Sequence, residues 1–370
     1  MAPQPCLPGG PQRILGREKR ALGQAAVKES PSLARQANEI VRDLTRPTPW
    51  IYWCDLAATT LAIYLSLYLA VTLKTPTLSL LAAAAAVLAL YRGISFIHEL
   101  THLRPASVPG FHLAWNALIG VPFLTPSLMY EGVHMLHHAG DRYGTRNDPE
   151  YRPLARLPAR KLALFIGIAI LAPLGVFLRF AVITPLSLFV PALRRLAVAR
   201  LSAMTINPAF AREDFDRART PPWLTQEVAC WLWSWALVAL VATGRVPARV
   251  PLTAAGVYAV MAALNQLRTA VAHAWENEGQ QMSFREQFLD TVNVPPPALL
   301  PVLWAPVGLR YHALHHLMPR LPYHNLGDAH RRLVATLPED SDYRRVEQRE
   351  LGPAVASLVR RMRARGLNAA

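Results

Sequence analysis

The chain has 370 residues, 52% of them apolar, and a formal charge of +15. The basic residues gather in the N-terminal arm, in 194–219 and after 310, with no aromatic-interleaved basic stripe or reader motif, so nucleic-acid binding is not expected. Three scattered cysteines, Cys6, Cys54 and Cys230, exclude a disulfide framework and a thiolate metal site.

Residues 1–49 form a basic arm without the apolar stretch of a cleavable leader, so the first membrane helix is expected to be retained. Ser30 can cap a helix that Pro31 opens, and Leu33, Ala37, Ile40 and Leu44 share one face of it. That helix is expected to lie in the membrane interface, or else on the cytosolic part of the protein. Apolar runs at 51–73 and 76–97 follow, each of the roughly 20 residues that cross a bilayer. With the basic arm in the cytosol, the first run goes out and the second returns, delivering His98 to the cytosolic side.

The run 161–193 contains Pro173, Pro185, Pro191 and Arg179, and is expected to break and return to the side it started from. Runs at 222–243 and 251–267 form a second hairpin and deliver His273 beside His98. Arg92 and Arg268 precede those histidines by six and five residues, where they can mark the membrane edge. The expected architecture is all-α and integral to the membrane. About four transmembrane helices in two hairpins carry a cytosolic helical cap, with domains at 1–49 (arm), 50–330 (membrane domain) and 331–370 (basic cytosolic tail).

Three clusters carry the chemistry: "HELTH" at 98–102, "HMLHH" at 134–138 and "HALHH" at 312–316. Residues three and four apart share a helix face, so each cluster can offer two or three imidazoles to one point. With His273, nine of the twelve histidines collect on one side, more than one tetrahedral ion can use, and two metals are the natural reading. Imidazole alone does not choose between iron, copper and zinc. Glu99, Glu131, Asp141 and Glu276 lie near the clusters and can orient ligands or balance charge. "HELTH" alone also matches the HExxH pattern of a zinc protease, a reading that leaves seven histidines without a role. A membrane metal store or sensor is a further alternative.

The three boxes, in the order HxxxH, HxxHH, HxxHH, together with "HHLMPRLPYHNL" at 315–326, resemble the membrane fatty acid desaturase superfamily. The resemblance implies a di-iron centre held by His98, His102, His134, His137, His138, His312, His315 and His316. His273 would be an additional ligand, and Asn325 stands at an expected point of the continuation. It further implies dioxygen as co-substrate, a fatty acyl substrate drawn from the bilayer, and most directly the introduction of a double bond. Hydroxylation, or oxidative loss of the carboxyl carbon to a terminal alkene, are the alternatives, and in the last case Arg268 could pair with a substrate carboxylate. No heme or flavin motif is present, so a separate electron donor such as a ferredoxin with its reductase is expected. The expected location is a bacterial inner membrane, with termini and active site cytoplasmic.

Overall fold

The computed structural model describes residues 33–296, 300–348 and 350–367. Its regular elements are helical, and among the described residues only isolated bridges represent β-structure. Five helices are long and apolar enough to cross a membrane: α1 Pro49–Thr72, α2 Pro76–His102, α3 Arg160–Phe189, α4 Pro221–Ala242 and α5 Arg249–Ala270. Proline opens α1, α2 and α4, where its missing N–H costs no helical bond. The outward faces are aliphatic: Leu61, Leu80, Leu232 and Leu252 are each more than half exposed, while Thr59, Ser66 and Ser234 are buried between helices. A bilayer as solvent requires that inversion.

Short turns join α1 to α2 and α4 to α5 as two hairpins, and α5 packs against α2 and α1. At Gly93 a Cβ would stand 2.7 Å from Ile63 Cδ1, so the glycine lets α1 close on α2 directly below the first histidine box.

By length and composition α3 is one candidate span more than the four expected, and it is not broken at its prolines. A 3-10 turn at Ile168–Leu171 precedes Pro173 and a π-turn at Arg179–Ile183 precedes Pro185, the local adjustments that absorb a missing donor inside a helix. The chain turns only at Val190, ahead of the helix Pro191–Leu201. Contacts tie two distant parts of α3 to the histidine-bearing side. Just before its start the Ala155 amide bonds the Trp275 carbonyl. Further along, Arg179 bonds Glu227, Ser202 and the Leu201 carbonyl. Glu227 belongs to the second turn of α4, beside Gln226, which accepts from the Leu128 amide at 2.8 Å. Arg179 and Ala181 thus dock the second half of α3 on α4, through Glu227 and through the Trp235 indole.

The helix at 33–40 lays Ala37 on the central core, with Val41 and Leu44 just beyond it. Its apolar face therefore covers the protein itself, while Ser30 and Pro31 lie outside the described residues. The helix Leu326–Thr336 runs through the expected boundary at 330. Beyond it Tyr343 and Val346 join the same core, and Leu358 and Met362 of helix Leu351–Leu367 pack with Tyr151 and Trp275. The described residues of 331–367 thus contribute side chains to the packed body.

Glu227, 1% exposed, pairs with both Arg179 and Arg194. Replacing it with leucine strands a buried guanidinium, and the variant should unfold about 3–5 kcal/mol more easily. The thermal midpoint in detergent should fall accordingly and be largely restored in a Glu227→Leu, Arg179→Met double variant. An unchanged midpoint in the single variant would contradict the pairing.

Candidate metal centre

α2 ends on His98 and His102, and the short helix His134–His137 with the following His138 supplies the second box. His273 follows α5, and the helix His312–Leu317 carries the third box. This last helix is held from below by Asn293, whose side-chain oxygen accepts from the Leu314 amide at 3.0 Å while its backbone bonds Val346 and Gln348.

All nine histidines meet, but no HxxHH box serves a single point. One group joins His98, His102, His134, His138 and His315; the other joins His137, His273, His312 and His316, with the offered atoms of each group within 4.8 Å of one another. Successive helical residues diverge by about 100°. His137 therefore turns away from His138, and His315 from His316. Each HxxHH box is shared between two neighbouring groups, with the His138 and His316 rings 4.3 Å apart, while His98 and His102 both join the first group.

Carboxylates fix three of the rings. His134 Nδ1 lies 2.7 Å from Glu150 Oε1, and His137 Nδ1 2.9 Å from Asp148 Oδ2. His273 Nδ1 meets the Tyr143 hydroxyl at 2.8 Å, which donates in turn to Asp290. Asp148 is fully buried and also accepts from the amides of Gly144 and Glu150, so the loop after the second box folds around it. Gly144 makes that return at φ +71, the left-handed region where glycine carries no Cβ penalty.

The opposite ring nitrogens face one another. Nε2 of His138 is 3.0 Å from Nε2 of both His134 and His315, and Nε2 of His312 is 2.9 Å from that of His273. Nε2 of His98, His102 and His316 is buried with no partner. Such a set of buried lone pairs is satisfied by cations, and neutral imidazoles whose other nitrogen is held by an acid are the donors that metals take. The residues present fit two metal ions.

The four acids expected beside the boxes have other surroundings. Glu99 is buried and accepts from the Tyr52 hydroxyl, and Glu131 pairs with Arg217. Asp141 is exposed, and Glu276 approaches Arg361 at 3.5 Å. Asn325 donates to the Leu44 carbonyl and so fastens the cap. The acids that do the work, Asp148, Glu150 and Asp290, lie outside the boxes; the paired acids of "NDPE" at 147–150, soon after the second box, were the one available signal. Arg92 pairs with Asp55, whereas Arg268 is 9% exposed and lines a cavity.

That cavity, about 270 Å³, lies between α2, α3 and α5 and reaches His98, His137, His273 and His312. A second, of about 850 Å³, reaches His102 and His138 from the cap, bordered by Arg46, Arg104 and Arg320.

The sequence profile of the fatty acid desaturase family matches residues 76–347, which include all nine histidines. The chain belongs to that family. It is also similar to a ceramide hydroxylase of Caulobacter vibrioides, 54% identical over 338 residues that cover 91% of this chain and 96% of the relative. Fatty acid desaturase family membership makes the protein a membrane oxidoreductase, and the helices make it multi-pass.

In the metal-free protein burial holds His134, His138, His273, His312, His315 and His316 well below the ordinary histidine value. Burial also acts on His137, but Asp148, Glu150 and Asp290 outweigh it and leave that ring raised; burial pushes Glu150 and Asp290 up to about 7. Below about pH 6.5 the unfolded chain protonates the six lowered histidines while the folded state resists, so their contribution to stability falls with pH. His137 and the two acids act oppositely, since the fold binds their protons more tightly than the unfolded chain. The six outweigh the three, and the thermal midpoint of the metal-free protein should drop between pH 7 and 5. A midpoint that rises over that range would be inconsistent with this burial.

Proposed function

We propose that the protein is a dioxygen-dependent di-iron hydroxylase acting on an amide-linked long-chain lipid of the ceramide class. The observation that carries the reading is the pair of buried histidine groups at the inner end of a cavity between membrane helices. The nine histidines would hold two iron ions, which when bound supply the reduction of dioxygen and the removal of a hydrogen atom from an unactivated carbon. Overall, C–H, dioxygen, two electrons and two protons give C–OH and water. The boxes alone favoured a double bond, but the similar relative is a hydroxylase, so hydroxylation takes the place of desaturation in this reading.

The chain's own residues position and insulate. Glu150, Asp148 and the Tyr143–Asp290 pair set the tautomers of His134, His137 and His273, so that Nε2 turns inward. α2, α3 and α5 keep water from the cavity and admit the chain from the bilayer side. Electrons come from a separate small acidic carrier such as a ferredoxin. The arginine-bordered pocket on the cap suits such a partner, because it reaches His102 and His138, while the substrate cavity is lined by other histidines, His98, His137, His273 and His312. By the positive-inside rule the cap and both termini face the cytoplasm, in a bacterial inner membrane.

The test is mass spectrometry of products from iron-loaded protein given a reduced ferredoxin system, ¹⁸O₂ and a ceramide. One ¹⁸O per product with every carbon retained is expected; a product two hydrogens lighter would return the reading to desaturation, and a hydrocarbon one carbon shorter to decarboxylation. Asp148→Asn should lower iron affinity by about 10–100-fold, measured as metal content after dialysis against a chelator. Unchanged iron retention would remove Asp148 from the ligand-orienting set.

A further inference from the structure

Two polar groups in the cavity between α2, α3 and α5 lack the hydrogen-bond partners that burial demands, and a third lacks a counter-ion. The Tyr91 hydroxyl and Gln266 Oε1 are buried without a hydrogen bond, and both residues line the cavity. Arg268 lines it too; its guanidinium has no carboxylate within ion-pair distance among the described residues. Nη2 donates to the Leu309 carbonyl at 3.2 Å and stands 3.4 Å from His312 Nδ1. The nearby acid, Glu150, is already engaged by Tyr130 and His134. Polar groups left unpaired in a low-dielectric cavity bear their full desolvation penalty, and a cluster of them beside the candidate metal centre marks a place where a ligand supplies the missing bonds.

Building on the lipid-oxygenase reading above, we infer that Arg268, Gln266 and Tyr91 form a subsite for a secondary amide with a neighbouring hydroxyl. The amide carbonyl accepts from the Arg268 guanidinium, its N–H donates to Gln266 Oε1, and the hydroxyl bonds the Tyr91 oxygen. A free carboxylate can accept from the Arg268 guanidinium and from the Tyr91 hydroxyl, but it brings no donor for Gln266 Oε1 and leaves that oxygen facing an anion. The subsite therefore selects the amide over the free fatty acid. It also sets the position of attack. Arg268 adjoins His312, a member of the four-histidine group, so a carbonyl held there keeps the carbons next to the amide beside that group. The oxidised carbon lies within a few bonds of the amide, not far along either chain.

The experiment measures equilibrium binding of a radiolabelled short-chain ceramide and of its N-methyl analogue to the detergent-purified full chain, with product formation followed in parallel. The unsubstituted protein should bind the N–H amide about tenfold tighter than the N-methyl analogue. In Gln266→Leu that ratio should collapse toward one through weaker binding of the N–H amide, whereas Arg268→Met should weaken both ligands alike. Gln266→Met, closer in shape, carries the same test if the leucine variant does not fold, as judged by its thermal midpoint. A wild-type ratio retained in the glutamine variants, or oxygen found far from the amide by product fragmentation, would overturn the subsite. The two readings fail separately. Ceramide binding with the expected ratio shift but no oxygenated product leaves the subsite standing and removes the hydroxylase, while product with an unshifted ratio does the reverse.

Discussion

Nine imidazoles crowded into two buried groups are the constraint around which the rest of the molecule is arranged. Ring nitrogens about 3 Å apart and cut off from water either share a proton pairwise or hold a cation, and Nε2 of His98, His102 and His316 has no partner at all. The fold opposes the cost of that burial with fixed supports: an acid behind His134, another behind His137, and a tyrosine–aspartate relay behind His273. These supports come from a glycine-turned loop and from a capped helix, Phe284–Asp290, whose N-terminus is secured by the reciprocal Ser283–Glu286 bonds. Their role is to hold inward-facing nitrogens in place before any ion arrives.

The membrane helices serve the same end. α1 closes on α2 at Gly93, α5 returns beside them, and the two hairpins deliver His98 and His273 to one level. α3 closes the cavity: its bonds through Arg179 to Glu227 and Ser202 fix it where Ala169, Ala172 and Val176 form a wall. The buried Arg179–Glu227 pair, joined by the half-buried Arg194, therefore fixes a helix that bounds the cavity.

Two openings on the histidine groups divide the chemistry in space. One is set among membrane helices and has an unpaired polar cluster; the other opens on the cap among arginines. Under the proposed function an apolar substrate and a water-soluble electron donor would approach the same centre without competing; the helix at 33–40, whose following turn is fastened by Asn325 and by an Arg332–Asp43 pair, borders the second opening.

The sequence by itself determined the chemistry-bearing residues and the solvent. Histidine spacing, apolar run length and the placement of basic residues are local properties, readable without coordinates, and they yield a helical membrane protein whose nine histidines gather on one side. What only the tertiary structure decided depends on residues far apart in sequence. The 100° step between neighbouring helical positions divides each HxxHH box between two groups, yet which partner box completes each group follows from how four elements dock. The acids nearest the boxes in sequence, Glu99, Asp141 and Glu276, turn elsewhere because of tyrosine, solvent and arginine. Asp148, Glu150 and Asp290 reach the rings because their loop and helix fold back onto them. Arg268 reads in sequence as a membrane-edge anchor, and only the packing of α5 against α2 and α3 turns it into the wall of a cavity. Local pattern sets which face a side chain occupies; the contact of one face with another is settled when the whole chain is folded.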